Sequence, residues 1–286
     1  MVLNMIHDEL PLSDAGNYAE KKHRLIAIFA DLFSASMKAP KWDCLVYIDL
    51  FAGAGKAKET DSGKIVDGSP LLSLGVKNPF KKYIFCELDE NTLQALKIRV
   101  RQDYPKADVT FVHGNCNDRI DEVLKAVPYG RKGFSVLSFC LADICKMENL
   151  KFRTIQKLSE RYVDFLVLIP TYMDAHRNEN NYCKIDNHTV DEFFGTTEWR
   201  LSWQNARLKG ERFGRFICQY FCQRMKSLKY QGDETDAVEI RQIKNQSPLY
   251  RLAFFSRNKL GIKFWNEARE YSSEQMALPF LEQPCR

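Results

Sequence analysis

The chain has 286 residues and a formal net charge of +5. Hydrophobic residues make up 45% and charged residues 28%, which is usual for a globular domain and excludes a mostly disordered chain. The mild positive charge permits an anionic substrate but falls short of the concentrated basic surface of a dedicated nucleic-acid binder. A chain of this length can bury the core of one large α/β domain.

The N-terminal sequence and the cysteine usage predict a cytoplasmic protein. Residues 1–20 are mostly polar, lack a basic segment followed by an apolar one, and are predicted to be loosely ordered. No apolar run approaches the ~20 residues of a membrane-spanning helix. The nine cysteines include no CxxC pair and lie mostly in apolar runs, which favours free thiols in a reducing compartment.

Apolar strands alternate with helices over the first 170 residues. In chain order, the periodicity predicts a helix at 21–37, a strand at 44–51, a short helix at 69–76, a strand at 83–88, a helix at 90–103, a strand at 109–114, a helix at 118–127, a strand at 134–142, a helix at 152–161 and a strand at 163–170. The segment 52–68 is predicted to be a polar loop. This alternation predicts a doubly wound parallel sheet.

The alternation breaks after the fifth strand. Residues 171–205 show no clear period and are interpreted as an insertion over the carboxyl edge of the sheet. A helix at 211–225 follows, and strands at 237–243 and 250–256 are predicted to form a terminal antiparallel hairpin across the turn at 244–248. Such a hairpin is typical of methyltransferases and not of nucleotide dehydrogenases. The predicted fold class is therefore α/β, a Rossmann-like methyltransferase fold.

A glycine-containing loop follows the first strand. It reads DLFAGAGK, from Asp49 to Lys56, and lies at the edge where doubly wound sheets bind their ligands. Gly53 and Gly55 allow a tight turn and a close approach of the backbone to a ligand. Position 58 is Lys58, where a nicotinamide-binding motif needs its third glycine, and no phosphate-binding GxxxxGK[ST] occurs. These features favour cofactor binding over the alternative of a purely structural glycine turn.

Polar side chains end or follow the next two strands. Glu87 can accept both hydrogen bonds of a ribose diol, and the alternative, a helix-capping acid, is better represented by Asp89. Asn115 can pair with an adenine ring, but an Asn after Gly is also an ordinary turn residue. The predicted cofactor-binding residues are Asp49, Phe51, Ala52, Gly53, Gly55, Glu87, Leu88, Asn115 and Cys116.

The chain resembles the three-Cys-motif partner family, a bacterial group with a class I S-adenosylmethionine-dependent methyltransferase-like fold. The similar segments are YIDLFAGAG, GSPLLSL, YIFCELDEN, GNCND, DAHRN, DEFFGTTEW and PLYRLAFFSRNKLGIKFW, which together span roughly residues 22–270. The methyltransferase-like domain is accordingly predicted at 21–270, with a tail at 271–286. The resemblance implies S-adenosylmethionine as cofactor and a separate partner protein that carries the cysteine motif.

One segment departs from the family's pattern. After its fourth strand the family usually carries Asp-Pro-aromatic-Gly, whereas this chain has LADICKMENLKF at 141–152. Asp143 matches the Asp, but Ile144 replaces the Pro and no glycine follows. In amino-methylating enzymes this segment positions the target nitrogen, so Asp143 is the predicted catalytic residue, and a helix N-cap is the alternative. The predicted function is a methyltransferase of unknown acceptor; the alternatives are an inactive cofactor-binding partner subunit or a nucleic-acid methyltransferase.

Neither a metal site nor a nucleic-acid surface is favoured. Cys218 and Cys222 lie one helical turn apart, but no matching Cys or His pair is nearby, so no metal is predicted. Basic residues bracket the helix at 211–225, and the preceding insertion contains aromatic residues that would suit base stacking, namely Tyr182, Trp199 and Trp203. A solvated helix face and ordinary packing aromatics are the preferred interpretation.

Overall fold

The computed structural model describes residues 9–16, 18–242 and 244–277. Its strands are β1 (Ser13–Ala15), β2 (Cys44–Asp49), β3 (Lys56–Glu59), β4 (Ile65–Asp67), β5 (Lys82–Glu87), β6 (Val109–His113), β7 (Val136–Asp143), β8 (Val163–Ile169), β9 (Val238–Arg241) and β10 (Pro248–Phe255). Its α-helices are α1 (Ala19–Met37), α2 (Ser69–Leu74), α3 (Glu90–Asp103), α4 (Ile120–Ala126), α5 (Phe152–Leu158), α6 (Arg177–Tyr182), α7 (Thr189–Phe194), α8 (Trp199–Leu208), α9 (Phe213–Ser227) and α10 (Lys259–Ala277).

The main sheet has seven strands in the order β6-β5-β2-β7-β8-β10-β9. The first five strands in this order are parallel to one another. Strand β10 is antiparallel to both of its neighbours, β8 and β9. The interior strand β2 is buried along its whole length, as expected of a parallel strand covered on both faces. The predicted α/β fold is confirmed as a Rossmann-like, mostly parallel sheet that ends in an antiparallel hairpin.

Two hydrophobic layers cover the two faces of this sheet. Along β2, Val46 and Ile48 face one layer, whereas Leu45 and Tyr47 face the other, because successive side chains of a strand point to opposite faces. The first layer includes buried residues of α4, α5, α7 and α9. The second includes buried residues of α1, α2, α3 and α10, among them the fully buried Trp265.

The predicted insertion at 171–205 is largely helical. It consists of a π-helical turn at Thr171–His176 followed by α6, α7 and the start of α8. The helices α6 and α7 have six residues each, which is too short for a helical period to be recognised in the sequence. Trp199 and Trp203 are 1% and 4% exposed and belong to the first hydrophobic layer, as does Tyr182. Their rings are therefore packed in the core and are not available to stack on bases.

Two further parts of the fold were not predicted. The segment 52–68 is not a simple loop, because β3 and β4 form an antiparallel hairpin within it and β1 adds a parallel strand to β3. The second is α10, which packs against α1 on the second face of the sheet. Residues 1–8 of the predicted N-terminal segment and residues 278–286 of the predicted tail lie outside the described parts of the chain.

The cysteines of the described residues are all free, and Cys285 lies outside those residues. Cys218 and Cys222 are buried within α9. Within the described ranges, no His, Cys, Asp and Glu side chains gather in a group of three or more that could hold a metal ion. No helix in those ranges combines the length and the apolar character needed to cross a membrane.

Candidate functional site

A cleft of ≈540 Å³ lies at the carboxyl ends of β2, β5 and β7. This volume is in the range of pockets that hold cofactors and other small molecules. Predicted site residues that line it are Phe51, Ala52, Gly53, Gly55, Glu87, Leu88, Asn115, Cys116 and Asp143. Asp49 is fully buried and does not line the cleft. The sheet thus brings together side chains from four separate segments of the sequence at the edge where this fold binds ligands.

The glycine loop has a backbone that only glycine adopts without strain. Gly53 and Gly55 have φ angles of +65° and +82°. A Cβ atom on Gly53 would lie 2.8 Å from the hydroxyl oxygen of Ser13, and one on Gly55 would lie 2.8 Å from a methyl carbon of Leu96. Both glycines are therefore required by conformation, and a Cβ atom at either position would also displace a neighbouring side chain.

Glu87 is held in place by the glycine loop and by its own turn. The backbone N–H of Gly53 donates to Oε2 at 2.8 Å, and that of Asp89 donates to Oε1 at 3.0 Å. Asp89 itself caps α3 by accepting a hydrogen bond from the N–H of Thr92. Since an ionised carboxylate has about four acceptor positions, Glu87 keeps acceptor capacity for a ligand in the cleft.

Asp49 fastens the glycine loop to α2. Its Oδ2 accepts a hydrogen bond of 2.6 Å from the Ser69 hydroxyl, and its Oδ1 accepts one of 3.1 Å from the N–H of Phe51. Burial raises the pKa of Asp49 to about 7, although both hydrogen bonds oppose the shift. Its position supports the loop and gives it no exposed surface with which to touch a ligand.

Asn115 makes a turn after β6. Its side-chain oxygen accepts hydrogen bonds from both the backbone N–H and the side-chain amide of Asn117, each at 2.9 Å. The Asn115 amide group is left to donate to a ligand. The neighbouring Cys116 is buried, which raises the pKa of its thiol to about 12, so the thiol is neutral at physiological pH.

Asp143 ends β7 and forms an ion pair with Lys22 of α1. The two charged atoms are 2.5 Å apart, and each side chain is 11% exposed. Burial lowers the pKa of Lys22, but the charge and hydrogen bond of Asp143 outweigh it, so the net shift is upward. The other oxygen of Asp143, Oδ1, is buried and has no hydrogen-bond partner.

Asp143 does not cap the helical segment that follows it. The 3-10 turn at Met147–Asn149 has Lys146 at its N-cap, and the N–H of Met147 donates to Asp174 at 2.8 Å. The capping role considered from the sequence therefore belongs to other residues, and Asp143 is engaged by α1 instead.

The N-terminal segment forms one wall of the cleft, which the sequence did not indicate. The Ser13 hydroxyl accepts a hydrogen bond of 3.0 Å from the N–H of Ala54, within the glycine loop. The buried guanidinium of Arg99 donates to the carbonyl oxygens of Pro11 at 2.9 Å and Ala54 at 2.5 Å. Together with the β1–β3 pairing, these contacts attach the wall to the loop.

His23 adds a neutral imidazole to the same wall. Burial, together with the positive charge of Lys22, lowers its pKa to about 4. Its Nδ1 is buried without a hydrogen-bond partner. Lys22 and His23 lie in the first turn of the predicted helix at 21–37, but no local pattern in the sequence distinguishes them from solvated polar residues.

Comparison with known proteins gives likenesses of fold only. No family model matches the chain, and no curated protein matches it. Among solved structures, a DUF519 family protein from Legionella pneumophila has a TM-score of 0.46 and 12% identity, over 90% of this chain and 93% of that one. Magnesium protoporphyrin IX methyltransferase from Synechocystis, solved with bound S-adenosylhomocysteine, has a TM-score of 0.41 and 10% identity, over 85% of this chain and 88% of that one.

Proposed function

We propose that this chain binds S-adenosylmethionine in the cleft and is a methyltransferase. The observation that carries the proposal is the contact between Gly53 and Glu87 at the carboxyl ends of β2 and β5. It joins a left-handed glycine loop to an acidic strand end, on a sheet with methyltransferase topology.

The residues of the cleft fit the parts of this cofactor. The free acceptor positions of Glu87 suit the ribose hydroxyls, and the Asn115 amide with the side chains of Leu88 and Cys116 suits the adenine ring. The absence of side chains on Gly53 and Gly55 gives the backbone close access to the ligand. The cofactor's sulfonium supplies an already activated methyl group, so the protein needs chiefly to hold an acceptor in line.

Replacing Glu87 tests the cofactor site. Glu87→Ala removes the proposed charge-assisted hydrogen bonds to ribose, which are worth roughly 1.5–3 kcal/mol. Isothermal titration calorimetry should show weaker binding of both S-adenosylmethionine and S-adenosylhomocysteine, by roughly 10- to 150-fold. Glu122→Ala is the matched control, because Glu122 is exposed and does not line the cleft. An unchanged dissociation constant for a folded Glu87→Ala variant would contradict the assignment.

Asp143 is the proposed catalytic residue. Its Oδ1 has no partner and can accept a proton or hydrogen bond from an acceptor, while Lys22 holds the other oxygen. Asp143→Asn keeps the shape of the side chain and removes its charge. We expect cofactor affinity close to wild type and turnover to S-adenosylhomocysteine lowered roughly 10²-fold. Equal turnover of the two proteins would remove Asp143 from the mechanism.

A catalytically inactive, cofactor-binding subunit is the second candidate. The Lys22–Asp143 ion pair favours it, because it already neutralises the carboxylate that would serve the acceptor. In both cases the proposed partner is a three-Cys-motif protein, on the strength of the sequence resemblance. Wild-type protein that binds the cofactor, but forms no S-adenosylhomocysteine with nucleic acid, protein or the product of its genomic neighbour, would support the inactive subunit.

A further inference from the structure

Two further cavities lie at the opposite edge of the sheet, by the amino ends of β2, β7 and β8. The first cleft has a volume of ≈410 Å³ and the second ≈520 Å³. Trp42 and Tyr162 line both clefts, and their rings contact each other at 5.5 Å. The two clefts, which we call the amino-edge groove, therefore lie side by side across this aromatic pair.

The walls of the amino-edge groove combine aromatic rings with cationic side chains. Arg131 and Arg161 line the first cleft. Arg257 and Lys259 line the second. Beside the groove, the Arg161 guanidinium carbon lies 3.6 Å from the ring centroid of Tyr129, a residue that is 67% exposed.

The cations of the groove are largely uncompensated. Across the described residues, no ion pair involves Arg131, Arg161 or Lys259. The acidic side chains that line the groove are Glu160 and Asp164. Burial raises the pKa of Asp164 to about 7, so it is only partly ionised at neutral pH. The groove is electrostatically suited to an anion.

A polar atom without a partner lies in the wall of the first cleft. Ser138 is fully buried in β7, and its hydroxyl makes no hydrogen bond within the described structure. Ser138 nevertheless lines the cleft. A buried hydroxyl without a partner is costly, and a ligand in the cleft that offers a donor or an acceptor would satisfy it.

We propose that the amino-edge groove binds single-stranded nucleic acid. An unstacked base occupies the first cleft against Trp42 and hydrogen-bonds to Ser138, while the neighbouring phosphates lie along the four cations. Stacking on aromatic rings within a cationic groove is the common mode of single-strand recognition. A cleft of ≈410 Å³ admits one base but not a duplex. An acidic peptide would use the cations but leave the aromatic faces without a function.

Fluorescence measurements on the full-length protein, without cofactor, test the proposal directly. Labelled 15-nucleotide oligo(dT) and oligo(U) are titrated by anisotropy at 50 and 200 mM salt. Release of counterions by four cations predicts roughly 50-fold weaker binding at the higher salt. Tryptophan fluorescence should be quenched on binding, because Trp199, Trp203 and Trp265 are buried and Trp42 is the more accessible ring.

Single substitutions locate the site. Trp42→Ala should weaken binding by roughly 5- to 150-fold and abolish the quenching. Arg131→Glu, at an exposed position, should weaken binding about 10-fold or more, which keeps the test decisive if Trp42→Ala fails to fold. Arg207→Glu is the charge-matched control, because Arg207 is an exposed arginine of α8 that does not line the groove.

Four results would overturn the proposal. The first is wild-type binding no tighter than 1 mM, and the second is wild-type affinity in folded Arg131→Glu with loss of affinity in Arg207→Glu. The third is equal affinity for uridine monophosphate and the 15-mer, which would identify a free nucleotide as the ligand. Tight binding of an acidic peptide in place of the oligonucleotides would also refute it. None of these results depends on the proposed methyltransferase activity.

Discussion

The ion pair between Lys22 and Asp143 offers a sharp test of how the cleft is held together. Lys22→Met keeps the length of the side chain and removes its charge. Asp143 then loses its partner at Oδ2, and its Oδ1 already has no hydrogen-bond partner. The Asp143 side chain is only 11% exposed, so water does little to replace the lost partner. Breaking a buried pair by removing one partner costs about 3–5 kcal/mol, because a buried charge is left uncompensated. For a domain of this size we expect a fall in Tm of about 6–20 °C.

The double variant Lys22→Met/Asp143→Leu separates the interaction energy between the two residues from the contribution that each makes with its surroundings. Replacing both partners of a buried pair by apolar groups is often close to neutral, so the double variant should unfold within about 1 kcal/mol of wild type. Urea unfolding followed by circular dichroism gives the four free energies of the cycle. The pKa of Lys22 is raised, so this stabilisation is fully present below the unfolded pKa and is lost only as the pH rises through the folded value. Additive effects of the two single substitutions would refute the reasoning.

Three further substitutions test the loop and its supports. Gly53→Val forces a branched side chain into a φ of +65° and towards Ser13, so calorimetry should show loss of S-adenosylmethionine binding by a protein whose circular dichroism is retained; normal binding would mean that the site is misplaced. Ser13→Ala removes the hydrogen bond to Ala54 and should cost about 1 kcal/mol in urea unfolding, whereas no change would show that the wall is held by other contacts. Because the pKa of Asp49 is raised to about 7, the folded state retains a proton that the unfolded state releases, and its contribution to stability falls as the pH rises from about 4 to about 7. Wild type should therefore lose stability relative to Asp49→Asn across that window, by up to about 1.4 kcal/mol per pH unit, and a pH-independent difference would contradict the shifted pKa.

The main sheet could be predicted because its signals are local. The strands β2, β5, β7 and β8 are short continuous apolar runs, and helices separate them at regular intervals. The edge of the sheet at which the site lies then follows from chain direction alone, because the carboxyl ends of parallel strands lie at the same edge. The sequence therefore placed the glycine loop, Glu87, Asn115 and Asp143 on one cleft, where the structure has them.

The partners of those residues could not be predicted because they depend on long-range contacts. Lys22 lies 121 positions from Asp143, and Pro11 lies 88 positions from Arg99. Nothing in the composition near α1 distinguishes a lysine that is buried against a carboxylate from one that is solvated. The hairpin of β3 and β4 was missed for another reason: its strands are only four and three residues long, too short for a period-2 pattern to be recognised.

Strand β10 is the last strand of the main sheet in sequence order, but within the sheet it lies between β8 and β9. All seven residues of β8 are buried in the finished fold. While the chain is still emerging from the ribosome, β8 has an open backbone edge until the segment Pro248–Phe255 has been synthesised. Uncovered apolar edges are templates for pairing with other chains. A translation product truncated before Pro248 should therefore aggregate, whatever the state of the glycine loop, and nascent chains of intermediate length should be the ones that chaperones retain.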